Sequence, residues 1–362
     1  MSCIETSADT EMDPFYHGAD YIADWLAAVR RAQEAAGARV VNLYSGHGTY
    51  STLGLAHTDT RVRQRILSQW LKPMVDTAHA LKAGLGFFCH AFPQSVLADP
   101  ERYEQEFLTL ADNLAEIAGY NRSLGSREYL GVEQMYSPHQ VPWTIAQSRR
   151  LLREVFARGA APFYITIDVG HQSGQHRYRR PTRQALEEAL LSIRRSGLAP
   201  QTWIGPDPIV ERLCRVAADG AGSRHLDEIE AELSRYAQLY AEPADSDPYE
   251  WLRALAGWSP IVHLQQTDGS SSTHQPFNDE TNRSGIIEAH KVLSAIDAHY
   301  RSATPDADMP SRVSDIYLTI EVFAATADTP EQVRSKLRQS VEYWRRYIPS
   351  DGETLKTLLS CG

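Results

Sequence analysis

The sequence predicts an α/β protein, a (β/α)8-type TIM barrel, on three observations. Short apolar runs alternate with longer amphipathic stretches along the 362 residues, the βαβα pattern that builds parallel sheets. The runs are mostly apolar throughout rather than alternating, as strands buried on both faces are. Each run also ends in a polar residue, and in a parallel barrel all strand C-termini share the face that carries the active site.

Taken in order, the elements begin with a strand at 3–6 (CIET), then an amphipathic helix at 21–36 and a strand at 39–44 (RVVNLY). A helix at 59–83 leads to the strand at 84–90 (GLGFFCH), which ends in His90. A helix at 103–119 precedes the strand at 129–133 (YLGVE), closed by Glu133; a helix at 144–158 precedes the strand at 163–168 (FYITID), closed by Asp168. The next polar strand end, His263 in 260–265 (PIVHLQ), comes 95 residues later, against about 30 for an average βα unit. Amphipathic stretches at 182–195, 206–219 and 225–241 fill that interval, so residues 175–247 are expected to form a helical insertion within one domain spanning 1–362. A last strand at 316–323 (IYLTIEVF) carries Glu321, and a helix at 329–347 starts with Thr329 as cap and Pro330 at its first position. Only seven strands are counted. Either the first βα unit is lacking or the barrel closes in an unusual way.

The bulk properties narrow the function. A net charge of −10 argues against nucleic acid as the main partner, because phosphate-backbone binding needs a basic face. A few arginines suffice for one phosphate. Four scattered cysteines without a CxxC pair indicate neither a disulfide framework nor a thiolate zinc site. The polar, acidic start lacks the features of a signal peptide, and no apolar run approaches the roughly 20 residues of a membrane span. A cytoplasmic protein is expected. There is no GxGxxG, Walker A or repeat period.

Glu133, Asp168, His263 and Glu321 form the chemical core of the reading. Three carboxylates and one imidazole on one barrel face make a hard, oxygen-rich site, suited to Mn²⁺, Mg²⁺ or Co²⁺ better than to a structural zinc. One divalent ion is expected, Mn²⁺ first, with Mg²⁺, Co²⁺ or Zn²⁺ as alternatives. Without a cation, carboxylates so close would repel unless one were protonated. A bound ion acts as a Lewis acid on a substrate oxygen. Glu133 and Glu321 are then the candidate general base and acid for proton transfer through an enediolate.

Further candidates lie nearby. His90 ends a strand on the same face, where a backbone-bonded histidine is an equally ordinary finding. Gln265 shares pleat parity with His263, unlike Gln266. Gln134, Tyr136 and His139 follow Glu133 and either bind substrate or shape the loop. Arg177 and Arg180, in QHRYRR (175–180), are candidates for a phosphate clamp, although charge runs are more often solvated surface. The glycine-rich segment 46–50 is a weak anion cradle. Trp251, Trp258 and Trp344 are expected to pack in the core.

These residues resemble the xylose isomerase-like TIM barrels, in particular their sugar-phosphate isomerase/epimerase branch. Glu133 in GVEQMY, Asp168 in IDVGH, His263 in VHLQQTD and Glu321 in TIEVF match in type and order the Glu, Asp, His, Glu metal set of the ketose 3-epimerases. The resemblance assigns those ligands to strands five to eight and makes the first visible strand the family's second. It also implies that His171, in the Asp-x-x-His of Asp168, helps hold substrate oxygens. PYEWLR, HLQQTDG, HQPF and VEYWRR are similar to the tetrulose-phosphate epimerases of bacterial erythritol breakdown. Two positions depart from the ketose 3-epimerases: His139 stands in place of a second glutamate, and Gly269 in place of a substrate-binding arginine. The resemblance implies an isomerase or epimerase of a small ketose or sugar phosphate, and a homodimer is expected because such assemblies are common. The rival readings are a metal-dependent sugar or inosose dehydratase on the same site, a retaining glycoside hydrolase using the two glutamates, and a non-catalytic sugar-binding barrel. An abasic-site endonuclease would need a basic groove and more histidine ligands.

Overall fold

The computed structural model describes residues 2–46, 54–89, 91–219, 223–302 and 307–360. Seven parallel strands lie in sequence order: β1 Cys3–Ser7, β2 Arg39–Ser45, β3 Gly84–Phe87, β4 Leu130–Glu133, β5 Tyr164–Asp168, β6 Ile261–Leu264 and β7 Tyr317–Ile320. All seven fall on the apolar runs expected to form them, and the sheet curls into a nearly closed barrel. Among the described residues no ladder joins β7 to β1. Both of these strands are partly exposed, whereas β3 to β6 are wholly buried. Near that seam the Arg39 guanidinium donates to the Tyr317 hydroxyl at 2.7 Å.

The order is β1, α1 Ala19–Ala36, β2, then a helix α2 built from Thr60–Ile66, a π-type stretch Leu67–Leu71 and Lys72–Leu81. It continues β3, α3 Pro100–Ser123, β4, α4 Ile145–Gly159 and β5. Side-chain caps set the helix starts. Asp99 accepts from Glu101 and Arg102 N–H at 3.0 and 3.2 Å ahead of α3, and Thr144 accepts from Gln147 N–H at 3.1 Å ahead of α4.

Between β5 and β6 come α5 Arg183–Ser196, α6 Asp207–Ala218, α7 Ser223–Leu233 and α8 Pro248–Leu255. The first three pack on one another through Leu186, Leu190, Ile193, Ile209, Leu213, Ile229 and Leu233. Three more α-helices follow among the described residues: α9 Ala289–Arg301 between β6 and β7, α10 Pro330–Arg345 after β7, opened by a Thr329–Gln332 capping box, and α11 Leu355–Ser360. Neither α8 nor α9 was distinguished in the sequence, where the length of the surrounding intervals hides them. Trp251, Trp258 and Trp344 are buried, as expected of packing residues. No helix among the described residues is long and apolar enough to cross a membrane.

Side-chain alternation along the strands decides what the barrel interior holds. One parity (Val132, Ile165, Ile167, Val262, Leu264) joins the apolar core. The other parity holds Glu133, Thr166, Asp168 and His263, and strand register brings these level: Glu133 pairs with Thr166, and Asp168 with His263. The Glu321 amide donates to Leu264 O at 2.9 Å, carrying that carboxylate to the same height.

Candidate active site

One donor atom from each of Glu133, Asp168, His263 and Glu321 lies within 4.8 Å of every other. Glu133 and Asp168 close their strands, His263 is the third residue of β6, and Glu321 follows β7 directly. Asp168 and His263 are almost wholly buried, while the Glu321 side chain is 24% exposed, which leaves the set open on one side. His263 Nδ1 is 2.9 Å from Glu133 Oε1 and 3.3 Å from Glu321 Oε2. Glu321 Oε2 is buried without a hydrogen-bond partner among the described residues, and so is His274 Nδ1, 3.5 Å away. Clustered carboxylates around a buried imidazole, with donor atoms left over, fit a hard divalent cation.

The electrostatics agree with that crowding. Burial works against a charged His263, but the nearby carboxylates of Glu5, Glu321 and Glu133 outweigh it and raise its pKa well above 6.5. Burial likewise opposes the charged forms of Glu321 and His171. The His263 charge nevertheless holds Glu321 below its ordinary 4.5, and Asp168 and Glu133 lift His171 above 6.5.

Glu133 and Asp168 are each held by further groups. The Tyr44 hydroxyl, from β2, donates to Glu133 Oε2. That reach crosses β3 at Gly86, where a Cβ would sit 3.2 Å from the Tyr44 ring and from Asn42 Nδ2. Gln265 Nε2 donates to both Asp168 oxygens, at 2.8 and 2.9 Å, and the Gly170 amide donates to Oδ1 at 2.6 Å. Gln266, on the opposite parity, clamps Ile287 through its amide instead. Gly170 is glycine because a Cβ there would lie 2.3–2.6 Å from the Gln265 amide. Gly170→Ala is therefore expected to push Gln265 off Asp168 and weaken divalent-ion binding by about 10–100-fold, measured by calorimetric titration with Mn²⁺; unchanged affinity would show that this support is dispensable.

The candidates from the sequence are distributed unevenly. His171 donates from Nδ1 to Gln134 O at 2.8 Å, leaving Nε2 turned toward Asp168, 3.7 Å from Oδ2. Gln265 faces the site with its amide engaged on Asp168. His139 is half-buried with Nδ1 3.4 Å from Phe92 O, tying the loop after β4 to the loop after β3. Gln134 holds Asp168 O at 2.8 Å, and the Tyr136 ring meets His171 edge-on. Arg177 and Arg180 are both exposed, and Arg180 donates to Glu230 O and Ser234 Oγ at 2.8 and 3.0 Å, which fixes it on α7. His90 and most of the glycine-rich segment 46–50 lie outside the described residues.

Four contributors were not singled out. Glu5, Asn42 and Tyr44 come from the first two strands, and His274 from the loop after β6. The His274 ring stacks on Phe323 at 3.8 Å, and its backbone is pinned by Gln265 Oε1 and by Phe323 N–H. A glutamate in CIETS and an asparagine in RVVNLY carry one sequence signal, a polar residue interrupting an apolar run, and Tyr44 carries another as the polar end of its run.

Residues 2–233 match the model of the xylose isomerase-like TIM barrel family. The chain belongs to that family. Within it, a stretch of 116 residues is 28% identical to D-erythrulose 1-phosphate 3-epimerase of Brucella abortus (strain 2308), covering 32% of this chain and 34% of that protein. The alignment thus spans about a third of the relative's length. Among solved structures, this xylose isomerase-like barrel is similar to a candidate xylose isomerase from Rhodospirillum rubrum ATCC 11170, with TM-score 0.65 and 16% identity over 96% of this chain and 89% of the other. It is also similar to a D-psicose 3-epimerase studied in the presence of D-fructose, with TM-score 0.51 and 12% identity over 97% and 90%. At such identities these two likenesses concern the fold.

Proposed function

We propose that this chain is a divalent-metal-dependent isomerase or epimerase of a small ketose or sugar phosphate, with a tetrulose phosphate as the first substrate to test. The observation that carries the reading is the convergence of three carboxylates and one imidazole, from β4, β5, β6 and the end of β7, within 4.8 Å. The partial likeness to an erythrulose-phosphate epimerase supports the substrate class.

Glu133, Asp168, His263 and Glu321 would hold the ion, Mn²⁺ by preference. When bound, such an ion polarises the oxygen on the carbon next to the reacting one and so acidifies its proton. Glu133 and Glu321 serve as the acid–base pair: one carboxylate takes the proton from carbon and the other returns one from the opposite face. Tyr44 orients Glu133 through its hydroxyl. His171 Nε2 and His274 Nδ1 face the same space and are available to substrate oxygens. Of the two arginines at the mouth, Arg177 is the candidate for the phosphate, since Arg180 is tied to α7.

Incubating Mn²⁺-loaded protein with tetruloses, pentuloses, hexuloses and their phosphates in deuterated water tests the reading. Deuterium at a single carbon, with the sugar's composition retained, is the expected result. No uptake from any of them, or a product lacking the elements of water, overturns it; the latter would mark a dehydratase. Tyr44→Phe removes one hydrogen bond to a charged carboxylate, about 1.5–3 kcal/mol. Its kcat/KM on the identified substrate is expected to fall by about 10–100-fold, and a drop of less than threefold would remove Tyr44 from the mechanism.

A further inference from the structure

His263 has two ring nitrogens on opposite sides, and they face different partners. Nδ1 points at the carboxylate group formed by Glu133 and Glu321. Nε2 points away, 3.0 Å from Glu5 Oε2 on β1, across the barrel interior. The Glu5 side chain is 7% exposed and that of His263 2%. The other Glu5 oxygen accepts from Asn42 Nδ2 at 2.6 Å, and the Tyr44 ring meets the imidazole edge-on at 5.1 Å.

A neutral imidazole has one N–H and one lone pair, and which nitrogen carries the proton is set by the hydrogen bond the other partner makes. A carboxylate only accepts. With Glu5 beside Nε2, the proton belongs there and the Nδ1 lone pair is directed into the ligand set. With an apolar residue in place of Glu5, nothing opposes the tautomer that carries its proton on Nδ1, aimed at the cation.

We infer that Glu5 is a positioning residue for the metal centre, fixing the tautomer and ring orientation of His263 from the far side of the barrel, with Asn42 fixing Glu5 in turn. The inference rests on the metal-dependent reading proposed above. Glu5 meets the four-residue cluster through His263, its other oxygen being held by Asn42, so its effect is on ion affinity before any effect on turnover.

The test uses metal-free full chain titrated calorimetrically with MnCl₂, with free Mn²⁺ counted by electron paramagnetic resonance. Glu5→Leu and Glu5→Ala are expected to weaken Mn²⁺ binding by about 10–100-fold, while the metal-free variants still unfold cooperatively. Asn42→Ala is expected to weaken it less. Affinity within twofold of wild type in either folded Glu5 variant overturns the inference and leaves the metal reading standing. Absence of Mn²⁺ binding in wild type overturns both. Should neither variant fold, long-range proton–nitrogen spectra of Zn²⁺-loaded wild type decide: a His263 proton on Nε2 supports the inference, and one on Nδ1 overturns it.

Discussion

Glu321→Gln is expected to lower kcat on the identified ketose by about 10²–10⁴-fold, the range that a positioned general acid or base contributes, and to abolish deuterium uptake. Glu321 is the least encumbered carboxylate of the set. It follows β7 on a partly exposed strand, and Oε2 has no hydrogen-bond partner among the described residues; His263 and His274 stand 3.3 and 3.5 Å from it. Glu133, by contrast, is engaged on both oxygens, by Tyr44 and by His263. Glutamine preserves volume and packing but cannot take a proton, so the substitution separates chemistry from fold. Because Glu321 is also a proposed ligand, ion affinity must be measured beside turnover. A loss that saturating Mn²⁺ restores would assign Glu321 to ion binding alone. Turnover within tenfold of wild type at saturating ion would remove it from the acid–base pair.

What the sequence made legible follows from how each signal is encoded. The β4, β5 and β6 strands are short apolar runs with one polar residue at or near the end, so Glu133, Asp168 and His263 stand out without knowledge of the fold. Glu5 and Asn42 give the same signal in the first two strands but lie inside the runs, where a polar residue reads as a surface position. Their role needs the register that turns one parity of every strand into the barrel. His274 is harder still. It sits in a loop at φ +47° and reaches the site because Gln265 and Phe323 hold its backbone, a tertiary arrangement with no periodicity. The arginine run shows what a local reading leaves out. QHRYRR follows the Asp168 strand as a clamp would, yet Arg180 turns to cap the carbonyl of Glu230 at 2.8 Å. The long interval that suggested an insertion is also what supplied that competing partner.

The second large effect is expected in stability. Glu133, Asp168, His263 and Glu321 come from four consecutive strands or their ends, so an ion shared by them would cross-link half of the barrel. An ion that binds only the folded chain stabilises it by about 4 kcal/mol when present at about 1,000 times its Kd. For a chain of this size that corresponds to a rise in Tm on the order of 5–10 °C between chelator and Mn²⁺. His263→Ala removes the one nitrogen among the proposed ligands and leaves Glu5 and Glu133 without the imidazole that now lies between them. The variant is expected to lose more than half of the Mn²⁺-induced rise, and its metal-free form is expected to melt below metal-free wild type because buried carboxylates lose their partner. Scanning calorimetry of both proteins, with and without Mn²⁺, reads these four midpoints directly. If wild type melts at the same temperature in chelator and in Mn²⁺, the four side chains do not share an ion. Their proximity would then have to be explained by the imidazole alone, as a protonated His263 standing where the cation was placed.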